Sequence, residues 1–216
     1  LRSIGYAAIA TALCLALGYP LAYTIAFKAG RWRNLMLVLV IAPFFTSFLV
    51  RTLAWQLILA DQGTVVRALK ALHLLAPEGR LLATPVAVVA GLTYNFLPFM
   101  VLPLYAALEK IDPRLIEAAG DLYASPRSAF VAVTWPLSRA GVVGGTLLTF
   151  IPAAGDYINA ELLGNTQTRM LGNVIQDLFT VVGDYPAAAA LSVTLMLLIA
   201  GIVMAYVRRT GTEDLL

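Results

Sequence analysis

Five long apolar segments constrain the fold of this chain more than any other feature. Each is close to the roughly 20 residues that a helix needs to cross a hydrocarbon core about 30 Å thick. The segments are Ile4–Phe27, Leu35–Ala60, Leu82–Leu108, Gly141–Leu163 and Ala187–Val207. Hydrophobic residues make up 60% of the chain, against about 45–50% in soluble domains. We therefore expect an all-α, polytopic membrane protein with one transmembrane domain over residues 1–216.

Proline and glycine interrupt several of these segments. Helices inside a bilayer tolerate such residues where neighbouring helices satisfy the freed backbone groups. We expect five kinked, closely packed helices, as around a pathway. The single cysteine, Cys14, stands among leucines and is predicted to pack as a small hydrophobic residue. The interrupting residues are Gly18, Pro20, Pro43, Pro85, Gly91, Pro98, Pro103, Pro152 and Gly155.

The distribution of positive charge predicts the orientation of the chain. Lysine and arginine accumulate in cytoplasmic loops. Of the 15 such residues, the loops after the first, third and fifth segments contain Lys28, Arg31, Arg33, Lys110, Arg114, Arg127, Arg139, Arg208 and Arg209. These loops are predicted to be cytoplasmic. Five spans put the chain ends on opposite sides, and the chain starts at Leu1 without an initiator methionine, so we expect upstream sequence with a sixth helix.

The cytoplasmic segment 109–139, called here the 109–139 loop, carries two helix starts. Asp112 precedes a proline and predicts a short helix over Pro113–Leu122, because aspartate caps a helix N-terminus and proline suits its first position. Ser125 precedes a second proline in the same way, and Pro136 is expected to end that second helix. Such a loop could dock into a groove of another protein or lie on the membrane surface as an amphipathic connector.

The same loop resembles the EAA motif of bacterial ATP-binding cassette (ABC) importer permeases. That motif reads Glu-Ala-Ala, three residues, Gly, nine residues, then Ile-x-Leu-Pro. Two residues depart from it: Tyr123 stands where the motif has glycine and Trp135 where it has leucine. A tyrosine that adopts the left-handed turn open to glycine does so at a cost. The spacing is intact from Glu117, Ala118 and Ala119 to Val133 and Pro136. Gly120, one of the three unspecified residues, is predicted to leave a bare helix face for docking together with Ala118 and Ala119.

The resemblance extends over essentially the whole chain, to permease subunits of spermidine/putrescine-type importers and their relatives for ferric iron and aminoethylphosphonate. It rests on the stretches Gly18–Tyr23, Arg51–Trp55, Leu97–Met100, Gly155–Tyr157 and Leu163–Asn165. It implies the fold of a type I importer permease in the bacterial cytoplasmic (inner) membrane, with the EAA residues forming a coupling helix that docks on an ATPase subunit.

The resemblance also implies the partners. These are ABC ATPase subunits, a second permease subunit that we expect to be a different chain, an extracytoplasmic solute-binding protein and the lipid bilayer, with no nucleic acid. The sequence contains no Gly-x-x-x-x-Gly-Lys-Ser/Thr motif for ATP phosphates. We therefore expect a non-enzymatic chain without a bound cofactor, and ATP and Mg²⁺ used by the partner ATPase.

Asp156 is the strongest candidate for a residue of the translocation pathway. A charge at bilayer depth costs at least about 2.5–3.5 kcal/mol on insertion scales and usually faces a cavity. Asp156 follows Pro152 and Gly155, which predict an irregular helix, and precedes Tyr157. A carboxylate beside an aromatic ring suits an organic cation. The alternative is an aspartate paired with a helix neighbour or placed at the outer interface.

Four further polar or aromatic residues are candidates for the pathway. Arg51 could repel cations, receive an anionic solute or pair with an acid, and Trp55 could stack on it or line the pathway. Tyr94 and Asn95 precede Pro98 in a kinked segment, where they could contact solute or hydrogen-bond between helices. A polyamine is the expected solute, with ferric iron or aminoethylphosphonate as alternatives.

Two other protein classes are alternatives to a transporter. A channel that works without ATP does not require a capped two-helix cytoplasmic loop with EAA spacing. An intramembrane enzyme needs a cluster of acid–base or metal-binding groups, whereas the sole histidine, His73, falls in an outer loop and is expected to be solvated. Both classes fit the sequence less well than a transporter.

Overall fold

The computed structural model describes residues 2–210, and every regular element in that range is helical, which confirms the all-α class. Several helices continue directly into short 3₁₀ or π-helical turns. In chain order the α-helices are α1 (Arg2–Tyr23), α2 (Arg33–Ile41), α3 (Phe48–Leu59), α4 (Thr64–Ala71), α5 (Pro85–Glu109), α6 (Pro113–Asp121), α7 (Pro126–Ala129), α8 (Trp135–Leu137), α9 (Arg139–Gly155), α10 (Ile158–Leu163), α11 (Leu171–Asp177) and α12 (Tyr185–Thr210).

Helix α5 lies at the centre and packs against both α1 and α9. Glycines allow the close approach of these helices. A Cβ atom built on Gly18 of α1 would lie 3.2 Å from the Met100 Cγ atom of α5. Cys14 is buried in the same interface, and its Sγ donates to the carbonyl oxygen of Thr93 at 3.3 Å, so it packs as predicted. The core of the molecule is therefore the α1–α5–α9 layer.

Within residues 2–210, three helices are long and apolar enough to cross a membrane without interruption: α1 with its π-helical extension to Lys28, α5 and α12. They correspond to the first, third and fifth predicted segments. The other two predicted segments do not form straight helices. In the part of the chain that the structure describes, the number of spans reaches five only if each bent pair of helices is one span.

The second segment breaks between α2 and α3, where the two helical parts differ in direction by 96°. A 3₁₀ turn over Ala42–Phe45 contains Pro43, which cannot donate a backbone hydrogen bond. Thr46 and Ser47 then adopt extended backbone conformations. The sequence predicted a kink here, and the structure has a break.

The fourth segment ends early, because α9 stops at Gly155 and α10 starts at Ile158. Asp156 is extended, with φ −65° and ψ 135°. Its side chain accepts a hydrogen bond from the backbone N–H of Asn159 at 2.8 Å and so caps the start of α10. The irregular helix predicted at Asp156 is confirmed.

The 109–139 loop forms the expected pair of short helices. The Asp112 side chain accepts from the N–H of Arg114 at 2.9 Å at the start of α6, and the Ser125 side chain accepts from the N–H of Ser128 at 3.2 Å at the start of α7. Helical structure continues from α7 through a π-helical segment, Phe130–Thr134, into α8. It ends one residue after Pro136 and then bends by 62° into α9.

Candidate functional site

The first helix of the 109–139 loop presents its small residues outward. Glu117, Ala118 and Gly120 are exposed, and Ala119 is half-buried. A Cβ atom built on Gly120 would meet no atom of residues 2–210 within 4 Å outside its own helix turn. No residue of α6 is buried. The surface beside Glu117 is therefore open and bare, so another protein could approach the helix backbone closely.

Two residues that depart from the EAA motif lie in different surroundings. Tyr123 has φ +60° and is 98% exposed, so it adopts the left-handed conformation that the motif's glycine would accept without strain. Trp135 is half-buried, and its ring lies 5.5 Å from the ring of Tyr19 in α1. Pro136 is exposed. The loop thus keeps the predicted turn despite the tyrosine.

Asp156 lies at the break between α9 and α10 and is 9% exposed. The break is covered by α11, because a Cβ atom on Gly172 would lie 2.8 Å from the Gly155 carbonyl oxygen. Asn173 of the same helix donates to the Tyr157 carbonyl oxygen and to a Glu161 carboxylate oxygen, both at 2.9 Å. The Asp156 carboxylate is therefore held at a helix break within the fourth apolar segment.

Tyr157 faces outward from the same break. It is 38% exposed and lines a cavity of about 370 Å³ between the break, α11 and α12. Gln176, Phe179 and Tyr185 also line this cavity. The predicted neighbours Asp156 and Tyr157 thus have different surroundings, one mostly enclosed and one open.

Asn95 of α5 joins a buried polar cluster. Its Nδ2 atom donates to the Asn159 Oδ1 atom at 3.0 Å and to the Thr52 Oγ1 atom at 3.3 Å. Asn95, Asn159 and Thr52 are almost fully buried. The cluster ties α3, α5 and α10 together next to Asp156. Asn95 therefore makes the hydrogen bonds between helices that the sequence left as one of two options.

Arg51 does not form an ion pair with any carboxylate of residues 2–210. Its guanidinium carbon lies 5.5 Å from the ring centroid of Phe44 and 5.6 Å from that of Phe48, on either side of the break between α2 and α3. Its Nε and Nη1 atoms are buried without a hydrogen-bond partner in the described chain. The guanidinium is stabilised by aromatic faces.

Trp55 and Tyr94 contact each other. Their ring centroids are 5.4 Å apart and the rings are inclined by 57°. Trp55 therefore packs on α5, where the sequence allowed stacking on Arg51 instead. Tyr94 also lines a cavity of about 310 Å³ between α1, α2 and α5.

Comparison with known families identifies the architecture. The model of the family "Binding-protein-dependent transport system inner membrane component" matches residues 15–210. The chain belongs to this family. It is thus a permease subunit of an importer of the ABC type, a multi-pass protein of the inner membrane.

Curated relatives cover nearly the whole permease. The spermidine/putrescine transport system permease protein PotB of Haemophilus influenzae is 39% identical over 96% of the chain and 72% of that relative. PotB of Escherichia coli is 39% identical over 96% of the chain and 76% of its own length. The molybdenum transport system permease protein ModB of Mycobacterium bovis is 30% identical over 99% of the chain and 80% of the relative.

A solved structure has the same fold. The crystal structure of a bacterial ABC transporter involved in the import of the acidic polysaccharide alginate aligns with a TM-score of 0.72 at 18% identity, covering 97% of this chain and 78% of the other. The expected importer-permease fold is confirmed by this likeness.

Several residues that shape the permease were not predicted from the sequence. Thr52 and Asn159 belong to the buried cluster, and Phe44 and Phe48 hold the guanidinium of Arg51. The sequence contained a signal for the backbone N–H of Asn159, because Asn159 follows Asp156 by three residues. This is the usual spacing between a capping side chain and the N–H group that donates to it. The others depend on contacts between helices.

Replacing Tyr123 with glycine is expected to raise the stability of the permease by about 0.5–1 kcal/mol. Relief of the left-handed tyrosine contributes about 1–2 kcal/mol, and the greater freedom of glycine in the unfolded chain offsets about half of it. The apparent melting temperature in detergent would measure the gain. Leu122→Gly is the control, since Leu122 is exposed beside it with a negative φ of −85°. That variant should be neutral or less stable, and equal gains for both would contradict the argument.

Proposed function

We propose that this permease forms one wall of a polyamine pathway and couples solute movement to a separate ATP-hydrolysing subunit through the 109–139 loop. The observation that carries the solute class is the Asp156 carboxylate at a helix break, next in the chain to Tyr157, whose side chain lines a cavity of about 370 Å³. A carboxylate with aromatic neighbours suits a flexible organic cation. The 39% identity of this chain to spermidine/putrescine permeases, over 96% of its length, supports the same class of solute.

The buried polar cluster fits a structural part in this pathway. Asn95 and Asn159 hold α5 and α10 together, and the same Asn159 offers its N–H to Asp156. The cluster thereby orients the carboxylate. Trp55 and Tyr94 form an aromatic pair that could add a second face for a cation, while Arg51 places a positive charge that would oppose cation leakage.

The coupling part of the proposal rests on the shape of α6. The helix is capped at Asp112, exposes Glu117 and leaves a bare surface at Ala118 and Gly120. Such a helix fits a groove on an ATPase subunit, which would use ATP and Mg²⁺. A second permease subunit, expected to be a different chain, would complete the pathway, and an extracytoplasmic binding protein would deliver the solute.

The alternatives of ferric iron and aminoethylphosphonate are less well supported, because the relatives at 39% identity are named for spermidine and putrescine. A channel without an ATPase would leave the exposed helix α6 without a partner.

A reconstitution experiment tests the proposal. The permease would be assembled with its partner subunits and binding protein in proteoliposomes, and ATP hydrolysis measured with spermidine, putrescine, ferric iron or an aminoalkylphosphonate. Stimulation by a polyamine is expected. Stimulation by iron or phosphonate alone would replace the solute class. An assembled complex that hydrolyses ATP but responds to none of these solutes would contradict the importer function.

Charge reversal at Glu117 tests the docking of α6. Glu117→Arg is expected to weaken binding of the purified ATPase subunit by at least about tenfold, because a like-charge contact or an unpaired charge in an interface costs at least about 1.4 kcal/mol. Binding would be measured with the permease in nanodiscs. Glu78→Arg, the same change at an exposed position of the outer loop, is the control and should bind normally. Unchanged binding by Glu117→Arg would remove Glu117 from the docking surface.

A further inference from the structure

Tyr19 of α1 contacts the end of the 109–139 loop. Its hydroxyl oxygen lies 2.7 Å from the Oγ atom of Ser138, a hydrogen bond between residues 119 positions apart in the chain. Tyr19 is 8% exposed and Ser138 is fully buried. Loss of such a buried hydrogen bond is destabilising, above all if one partner is left unsatisfied.

Ser138 occupies the bend between the loop and α9. The helix that includes α8 ends at Leu137, α9 begins at Arg139, and the two directions differ by 62°. The Ser138 hydroxyl also donates to the Trp135 carbonyl oxygen at 3.1 Å, and its backbone N–H bonds to the Thr134 carbonyl oxygen at 3.0 Å. Tyr19 therefore contacts Ser138, the residue at which the chain bends into α9.

Aromatic rings extend this contact into the loop. The ring of Tyr19 lies 5.6 Å from that of Phe130 in an edge-to-face arrangement and 5.5 Å from that of Trp135. Both partners belong to the second helix of the loop. One turn along α1, the ring of Tyr23 lies 6.1 Å from Phe130. Aromatic pairs in edge-to-face or tilted arrangements stabilise a contact beyond the apolar area that they bury.

The part of α1 that carries Tyr19 packs tightly against α5. Gly18 approaches α5 so closely that a Cβ atom there would lie 3.3 Å from the Val101 Cγ2 atom. Movement of the loop at Ser138 would therefore be passed to the α1–α5 pair, because packed helices shift as bodies and do not deform continuously.

We propose that Tyr19 is a positioning residue that ties the 109–139 loop to α1, so that displacement of the loop by an ATPase subunit moves the helices of the pathway. This inference rests on the proposed coupling function. Tyr19 would act without contacting the ATPase or the solute, through the hydroxyl pair with Ser138 and the rings of Phe130 and Trp135.

The test separates coupling from assembly. In the reconstituted complex, Tyr19→Phe keeps the ring and removes only the hydroxyl group. We expect solute transported per ATP hydrolysed to fall about three- to tenfold, the range of one buried hydrogen bond, while co-purification of the ATPase subunit stays normal. Ser138→Ala should lower the same ratio, and the double variant should be no worse than the more affected single one.

Tyr23→Phe is the matched control. Tyr23 also packs on Phe130, but its hydroxyl makes no hydrogen bond to the residues that the structure describes, so its ratio should equal that of the wild type. A wild-type ratio for Tyr19→Phe, or additive losses in the double variant, would overturn the inference while leaving the coupling function in place. Loss of ATPase binding by Tyr19→Phe would also overturn it. A wild-type complex without solute-coupled hydrolysis would remove the proposed function and this inference together.

Discussion

Replacing Gly141 with alanine is expected to destabilise the permease by about 3 kcal/mol, the upper end of the range for overpacking a core. A Cβ atom at Gly141 would lie 2.7 Å from the Ala107 Cβ atom and 2.8 Å from the Pro103 carbonyl oxygen. Backbone atoms cannot rotate away, so α5 and α9 would have to separate. A larger residue, as in Gly141→Leu, should leave no monodisperse protein in detergent.

The close packing of α9 on α5 explains the expected effect at Gly141. Gly141 and Gly145 lie four residues apart on α9, and a Cβ atom at Gly145 would meet the Met100 sulfur at 2.8 Å and its carbonyl oxygen at 3.1 Å. Small residues at this spacing let membrane helices approach closely, and their association depends on such packing because lipid supplies no hydrophobic drive. The α5–α9 contact therefore depends on the absence of side chains at Gly141 and Gly145.

Gly144→Ala is the control for the same substitution on the same helix. A Cβ atom there would find its nearest neighbour, the Pro103 Cβ atom, at 3.9 Å, an ordinary contact distance. Alanine is also the better helix former, by up to about 1 kcal/mol. Heating detergent-solubilised protein and following the monodisperse fraction by size exclusion would rank the variants. Equal losses for Gly141→Ala and Gly144→Ala would contradict the packing argument.

Much of the fold was predictable because it depends on local properties. The length and apolarity of a segment predicted α1, α5 and α12 within a few residues, and the cap-plus-proline pairs at Asp112 and Ser125 predicted the helices of the loop. A cap acts on the next three residues, so the sequence contains all that is needed.

The breaks were harder to predict, since a proline in a membrane helix is compatible with either a kink or an interruption. Between Phe45 and Phe48 the helical direction changes by 96°, and at Gly155 the helix stops where Gly172 of α11 packs against the Gly155 carbonyl oxygen. The outcome depends on which neighbouring helix supplies the missing contacts. Helical spacing allowed Trp55 to stack on Arg51, but only the packing of α3 on α5 decides that its partner is Tyr94.

Removing the charge of Asp156 is expected to reduce polyamine uptake about thirtyfold. Two unit charges 4 Å apart at an effective dielectric constant of about 20 interact by about 4 kcal/mol, and partial hydration of the bound cation leaves about half of it. The loss of about 2 kcal/mol corresponds to about thirtyfold in apparent affinity or rate. Asp156→Asn keeps an oxygen that can accept the hydrogen bond from the Asn159 N–H, so the α10 cap persists.

Glu161→Gln provides the matched charge control. Glu161 is exposed, lies five positions further along the chain and accepts a hydrogen bond from Asn173 that glutamine can also accept. It should transport polyamine at close to the wild-type level. Uptake of labelled spermidine at saturating ATP, with the melting temperature of each variant, distinguishes a lost charge from a lost fold. If Asp156→Asn transports like the wild type, the carboxylate only caps α10, and the break between α9 and α10 serves the packing of α11 without contact to the solute.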